Sequence, residues 1–462
     1  MQRGREEGKH DGPLGCSVGQ RSQVRRQSPA APSPLRRSVD STVMRLPRAV
    51  VLDPSDNGPG LVRALRRSGV PVTLLATPTF PWAACGCGFD GRVLGRLPEE
   101  GESWLKVLRE IAAAGTGVLM PASDDACDFV ARERARIPSV LRSFESAGSS
   151  HLELMDKARL YALADRSNIA YPATHVVTSR AEIESVGRDA AFPLLMKPAL
   201  THRWRHLFGN RRAFLVDDLR ALRAVAMPAV DAGLAVLMSE YVPGPVTNIE
   251  SALIIRRDDG SLPLAYTKRK LSEYPELGAG TIHETVNLPD TLELARRLLE
   301  EAGFVGLATV ETKRDERTGQ PVLIEANLRL SQAFDLGEAA GVDASWRLYA
   351  TLAGIPVSPQ PAPRQGARLV VATLEVRRVL ALLVSRRLAV RQLLASYRGA
   401  RSVSGFDIRD PGPILCFVRY YARRAAEKAA GALLASLLGA GGPSHLPLPA
   451  SGRCAPGCRP MR

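Results

Sequence analysis

The sequence predicts three parts: a small open α/β domain with a parallel sheet, a two-lobed α+β unit, and a helical C-terminal extension. Three observations carry this. Short continuous apolar runs alternate with helix-length segments from residue 47 to about 150. Strand-like segments then follow one another without strict alternation to about residue 360. Beyond that the chain becomes rich in Ala, Leu and Arg at helical spacing.

The elements follow in order. Residues 1–46 are rich in Arg, Ser, Pro, Gly and Gln and read as a disordered basic tail, with Met44 a candidate start. The apolar run 49–53, a helix at 61–68 and a strand at 70–75 make a β-α-β opening, continued by a helix at 103–114 and a strand at 117–120. This is the α/β domain, 47–150. The turn Asp53-Pro54-Ser55-Asp56-Asn57-Gly58 lacks the G-x-G-x-x-G pattern, which argues against a dinucleotide site. The two-lobed unit, 151–360, opens with a helix at 155–167. A short strand at 176–177, a helix at 181–188 and a buried strand at 193–198 ending in Lys197-Pro198 come next. A strand at 235–238 leads into Glu240-Tyr241-Val242-Pro243-Gly244. Strands at 249–256 and 262–268, a helix at 291–302 and a final hairpin complete the unit. Helices at 374–394 and 414–438 make the extension, 361–440, and 441–462 reads as a loose Gly/Pro-rich tail.

Composition narrows the function classes. The net charge of +15 sits at the two ends: 1–46 and 361–462 carry the excess, and 47–360 is slightly acidic. A nucleic-acid partner is therefore not expected, because the basic ends offer mostly Arg among Ala and Leu rather than a groove-reading or stacking face. No apolar run is long enough to span a bilayer, and no h-region marks a secretory signal. The seven cysteines are scattered and read as free thiols of a reducing cytoplasm. The segments 377–398 and 412–438 have two readings, as Arg-bearing amphipathic helices at an anionic membrane surface or as helices packed on the body.

The chemistry concentrates in the hairpin. The segments 310–315 and 322–329 read as its strands. Alternation puts Glu325, Asn327 and Arg329 on one face, and Glu311 reaches that face from the partner strand. Oxygen ligands at this density suit Mg²⁺ held against phosphates; the competing reading is an ordinary solvated charged face. Only eight lysines stand against 54 arginines, and five of the eight lie between Lys157 and Lys313. A retained lysine suits a compact charge on a phosphate. Lys197 closes a buried strand before a basic loop, as a phosphate-reaching cation or a snorkelling strand end. The segment 240–242 resembles a hinge that offers backbone groups to an adenine edge, or an ordinary turn. Lys268, Arg269 and Lys270, with His283 on the next strand, are candidates for contacts to an acidic substrate, or a solvated charged strand.

In order, Lys157, Lys197, the 240–244 hinge, Glu311 and Glu325-x-Asn327-x-Arg329 resemble the ATP-grasp ligases. The likeness is to the carboxylate–amine ligase group, similar to D-aspartate ligase and to one ATP-grasp half of the large subunit of carbamoyl-phosphate synthase. It covers about 47 to 360, so the small α/β domain corresponds to the pre-ATP-grasp domain. The resemblance implies that Lys157 and Lys197 contact ATP phosphates and that loop 201–212 is a lid. It implies that Glu240, Tyr241 and Val242 hold the adenine, and that Glu311, Glu325 and Asn327 bind one or two Mg²⁺, with Mn²⁺ an alternative. Arg329 then stabilises the transferring phosphoryl group. The implied reaction joins a small carboxylate to an amine through an acyl phosphate. A bicarbonate-activating enzyme and a non-catalytic membrane-binding protein are the alternatives, and a homodimer is left open. The chain departs from the pattern in three places. Its lid is not glycine-rich. Pro245-Val246-Thr247-Asn248 stands where an acid often takes the ribose, which passes that role to Glu240, Asn248 or Glu250. Leu330-Ser331-Gln332 follows Arg329 without a Pro- or Trp-rich turn.

Overall fold

A computed structural model describes residues 46–437 apart from 87, 98, 146–149, 199–206, 209–212 and 387–388. Apart from Leu46, both expected tails fall outside the described residues. Residues from Leu46 onward form one compact unit.

The continuous apolar run at 49–52 predicts a strand buried on both faces. The first sheet holds it at the centre, in the order β3-β2-β1-β4-β5, all parallel. Its strands are β1 (Arg48–Leu52), β2 (Val72–Ala76), β3 (Asp90–Val93), β4 (Gly117–Pro121) and β5 (Leu141–Arg142). Ala49 and Val51 pack with Leu61 and Leu65, while Val50 and Leu52 pack on the other side with Trp104 and Leu105. The first helix, α1 (Asn57–Arg67), starts four residues before its expected position. Asn57-Gly58-Pro59-Gly60 forms its first turn, where backbone N–H groups have no helical partner and proline costs little. Helices α2 (Gly101–Ala113) and α3 (Asp124–Arg132) follow, the latter capped by Ser123, whose Oγ accepts from Ala126 N at 3.0 Å. Strands β3 and β5 and helix α3 are short and were not anticipated.

Helices α4 (Ser150–Met155) and α5 (Lys157–Arg166) lead into a four-stranded antiparallel sheet. Its strands are β6 (Thr174–Val177), β7 (Leu194–Pro198), β8 (Phe214–Val216) and β9 (Val236–Glu240), in the order β6-β9-β7-β8. Helices α6 (Arg180–Asp189) and α7 (Leu219–Asp231) cover it. The largest sheet has seven strands. It holds β10 (Ile249–Arg256), β11 (Leu264–Tyr274), β12 (Ala279–Thr285), β13 (Gly306–Arg314) and β14 (Pro321–Asn327), with helix α8 (Pro289–Glu301) packed against it. Beyond helices α9 (Leu336–Ala339) and α10 (Ala344–Ala353), β15 (Arg368–Val371) and β16 (Ala400–Ser404) extend the same sheet.

Three expectations change here. The extension is not only helical: β15 and β16 add an edge to the large sheet. The single helix expected at 374–394 is two, α11 (Ala372–Val384) and α12 (Val390–Tyr397), with Arg386 between them at a positive φ of 55°. The last helix is α13 (Gly412–Leu437). The free-thiol reading is also corrected, because Cys85 and Cys416 form a disulfide with Cα atoms 6.4 Å apart. They are 331 residues apart in sequence, so no local spacing announces the pair. Cys127 is free and buried.

Parity along the large sheet decides where the site opens. On β10, Ala252 and Ile254 face α5 and α8, while Leu253 and Ile255 face the core shared with α1 and α10. The second face is apolar at one end, with Tyr266 and Leu307 joining that core. Two residues further along β10 and β11, and four along β13, it turns polar, at Ser251, Lys268 and Glu311.

Candidate active site

Four side chains stand in one row across that polar end. Lys268 on β11 is opposite Ser251 on β10, Ser251 is opposite Glu311 on β13, and Glu311 is opposite Glu325 on β14. Side chains in register on neighbouring strands share a face, with Cβ atoms about 5 Å apart. Lys270 and His283 face each other in the next row. A β-bulge at Ile324 makes this possible. Leu323 pairs with Thr312 and lies in the core beside α5 and α8, whereas Glu325 pairs with Glu311 on the polar face. Without the extra residue both would share a face. The Tyr161 hydroxyl donates to the Ile324 carbonyl at 2.9 Å and satisfies it.

The charges interlock. Lys157 Nζ lies 3.1 Å from Glu325 Oε2, and Lys270 Nζ lies 3.1 Å from Glu311 Oε1. Asp156 fixes the first of these by capping α5, accepting from Ala158 N at 2.9 Å, so Lys157 is the first helical residue. Asn327 Nδ2 donates to Glu325 Oε1 at 3.0 Å, and its Oδ1 accepts from Arg329 Nη2 at 3.3 Å. Arg329 lies past the end of β14 and its Nε donates to Asp124 Oδ1 at 2.7 Å. Asp124 was not singled out in the sequence; it opens helix α3, which Ser123 caps. Desolvation pushes its carboxyl up, and the Arg329 charge and hydrogen bond outweigh that, holding it below the usual carboxylate range.

Lys197 reaches the same cluster from β7. Burial, with the nearby Lys157 charge, pushes its ammonium down to about 8, against the pull of Glu325 and Glu311. Lys268 is likewise pushed down to about 8 by burial, with Glu311 opposing. Neither ammonium makes an ion pair or hydrogen bond among the described residues. His283 is held well below its ordinary value by burial and by Lys268 and Lys270, and its Nδ1 is buried without a hydrogen-bond partner. Glu240 ends β9, with its N–H bonded to the Ala173 carbonyl at 2.8 Å and its carboxylate 2.6 Å from Arg317 Nη2. Tyr241 carries Lys313 Nζ 4.7 Å above its ring, and Val242 is buried.

Other candidates are not brought together with these. Arg269 and Glu250 are on the opposite face. Arg269 bonds Glu284 at 2.8 Å, and Glu250 takes a bidentate contact from Arg314 at 2.8 and 3.0 Å plus the Thr291 hydroxyl. Asn248 lies past the hinge, with Nδ2 donating to the Arg314 carbonyl at 3.0 Å. Of the loop expected to be a lid, 201–212, only Leu207 and Phe208 are described, and the rest lies outside the described residues. Glu311, Glu325 and the Asn327 amide oxygen form a hard-donor set that fits Mg²⁺. Among the described residues no three His, Cys, Asp or Glu side chains gather for a metal.

No protein-family model matches the chain. D-Aspartate ligase of Enterococcus faecium is 22% identical over 187 residues, 38% of this chain and 44% of that protein, so the match spans less than half of this curated relative. Among solved structures, the ADP complex of N5-carboxyaminoimidazole ribonucleotide synthetase superposes with a TM-score of 0.56 at 12% identity. It covers 72% of this chain and 86% of that one. L-Amino acid ligase from Bacillus licheniformis has a TM-score of 0.51 at 14% identity, over 67% and 74% of the two chains. Biotin carboxylase from Campylobacter jejuni has a TM-score of 0.52 at 14% identity, over 69% and 74%. The likeness is one of fold: over about 70% of its length the chain has the architecture of these ATP-grasp ligases.

Proposed function

We propose that this chain is an ATP-dependent ligase that joins a small carboxylate to an amine through an acyl phosphate, releasing ADP and phosphate. The observation that carries the reading is the face where, among the described residues, the five cations Lys157, Lys197, Lys268, Lys270 and Arg329 gather around three carboxylates, Glu311, Glu325 and Asp124. An excess of buried cations needs anions from outside the chain, and a triphosphate with a carboxylate supplies them.

The residue roles follow from chemistry. Lys157 and Lys197 hold ATP phosphates as point charges, with the 240–242 hinge at the adenine. Glu311, Glu325 and Asn327 would hold Mg²⁺, which when bound neutralises phosphate charge. A substrate carboxylate oxygen attacks the γ-phosphorus in line, and ADP leaves. Arg329, steadied by Asp124, compensates charge that spreads over the moving phosphoryl group. The amine nitrogen then attacks the acyl carbon and phosphate departs with the C–O bond. Lys268, Lys270 and His283 flank the carboxylate. His283, kept neutral by burial and the two lysines, can accept a hydrogen bond from the amine at Nδ1, and the amine's proton leaves with the departing phosphate. Exclusion of water protects the acyl phosphate.

The test is substrate-dependent ADP release across amino acids and small carboxylates paired with varied amines. The expected result is one productive pair, with release lost in Glu325→Ala and Lys197→Ala. Folded protein that neither binds Mg-ATP nor releases ADP with any pair would overturn the reading. Release stimulated by bicarbonate alone would favour carboxyphosphate chemistry instead.

A further inference from the structure

The three C-terminal helices carry a second surface. Each packs on the body by one face and leaves an apolar stripe uncovered on another. On α11, Thr373 and Glu375 are buried, whereas Val376, Leu380, Leu383 and Val384 are exposed at i, i+4, i+7 and i+8, with Val384 at 86%. On α12, Val390 and Leu394 are exposed one turn apart. On α13, Phe417, Tyr420 and Tyr421 pack around Trp82 with ring centroids 5.2, 5.3 and 5.8 Å away, and the Cys85–Cys416 disulfide holds the same side. Leu415 and Val418 are left pointing away from that contact, both 57% exposed. The helices adjoin one another: Arg377 on α11 bonds the Tyr421 hydroxyl on α13, and Glu375 on α11 accepts from Tyr397 on α12.

Charge says what covers this surface. Residues 372–430 contain twelve Lys/Arg and four Asp/Glu. Arg386, Arg391, Arg398 and Arg419 are exposed and make no ion pair among the described residues. A second copy would present the same positive field in an isologous contact. The chain after residue 437 carries three Arg and no acid, so it does not complement the surface either. Nucleic acid would answer the charge but not the exposed Val and Leu side chains, which give bases nothing to stack on. Apolar side chains flanked by Arg on short helices are the pattern of interfacial, not spanning, membrane contact. No described helix is long and apolar enough to cross a membrane.

We propose that α11, α12 and the first half of α13 form a docking surface for an anionic lipid bilayer. Val376, Leu380, Leu383 and Val384 enter the headgroup boundary and the arginines meet lipid phosphates. The proposal is independent of the ligase reading.

The test is co-sedimentation of the full chain with phosphatidylcholine vesicles, with and without phosphatidylglycerol. Pelleting is expected only with the anionic vesicles and is reversed by high salt. Leu380→Asp with Val384→Asp should abolish it. Arg386→Glu and Arg391→Glu should each weaken it at least about fivefold. All variants should keep the parent melting temperature, since these side chains are exposed. Failure to pellet, or equal pelleting with neutral vesicles, overturns the proposal. So does a dimer in light scattering that the aspartate pair dissociates, or duplex DNA or RNA binding that matches the vesicle affinity.

Discussion

The two faces of the large sheet use the same residue types to opposite ends. On the face toward α8, the strand carboxylates are closed. Glu250 is gripped by both Arg314 nitrogens and the Thr291 hydroxyl, and Glu284 is shared by Arg269 and Arg368, at 2.8 Å from each. On the other face, the carboxylates of Glu311 and Glu325 have one lysine each, and Lys197 and Lys268 have none among the described residues. Closed pairs stabilise the fold without inviting a ligand. Open cations, already destabilised by burial, gain when an anion arrives. The difference is one residue of strand register, since Lys268 and Arg269 are neighbours in sequence.

The sharpest way to break this contrast is to remove one acid from each face. Glu325→Ala should lower ADP release by about 10³-fold, the scale on which a positioned charge matters to phosphoryl transfer. Its melting temperature should change little, because the side chain is partly exposed at 26%. Glu250→Ala should do the reverse. It leaves Arg314 and Thr291 without their buried acceptor and should cost about 3 kcal/mol in denaturant unfolding, with turnover per folded molecule retained. If Glu250→Ala loses activity while keeping stability, the division into a structural and a functional face is wrong.

A gentler perturbation is pH. Lys197 has its pKa lowered to about 8 by burial, below the ordinary lysine value. The folded state therefore binds fewer protons than the unfolded chain between about pH 8 and the ordinary lysine range. Stability from this group rises with pH across that window and is penalised below it. Ligand binding runs the other way. A phosphate favours the charged lysine, so ATP affinity in titration calorimetry should fall above pH 8, at most about tenfold per unit for one group. Lys197→Arg stays charged and should flatten the curve. An unchanged slope in that variant would move the effect to Lys268, the other lysine pushed down to about 8.

These contrasts were partly legible in the sequence. Alternation around Glu325 and Asn327, and the buried strand ending at Lys197, are local patterns. The hairpin pairing of Glu311 with Glu325 follows from one short turn. The bulge at Ile324 was not legible, since Val322-Leu323-Ile324 reads as an unbroken strand. Nor was Arg269, which alternation alone puts opposite Lys268 and Lys270; the run of three cations hid that parity. Asp124 and the Cys85–Cys416 pair depend on chain segments 205 and 331 residues apart in sequence, where only the assembled fold makes neighbours. Strand β15 was hidden because the sheet edge that pairs it lies more than 80 residues earlier, as in Glu284 with Arg368, and β16 because it pairs only with β15.

The smallest expected effect probes the link between the parallel-sheet domain and the charged face. Asp124 is the only carboxylate bonded to Arg329 among the described residues, and its side chain is 53% exposed. Water screens such a pair, so it is worth no more than about 1 kcal/mol, or about fivefold in rate. Asp124→Asn keeps an oxygen acceptor for Arg329 Nε and loses only charge, so kcat should fall about two- to threefold with KM for ATP unchanged. Asp124→Ala loses the anchor as well and should approach the full factor. Asn327 Oδ1 and the Leu330 carbonyl, each 3.3 Å from an Arg329 nitrogen, then hold the guanidinium alone. Equal and unchanged kcat in both variants would mean those two longer bonds suffice. The parallel-sheet domain would then support the site through packing rather than through this ion pair.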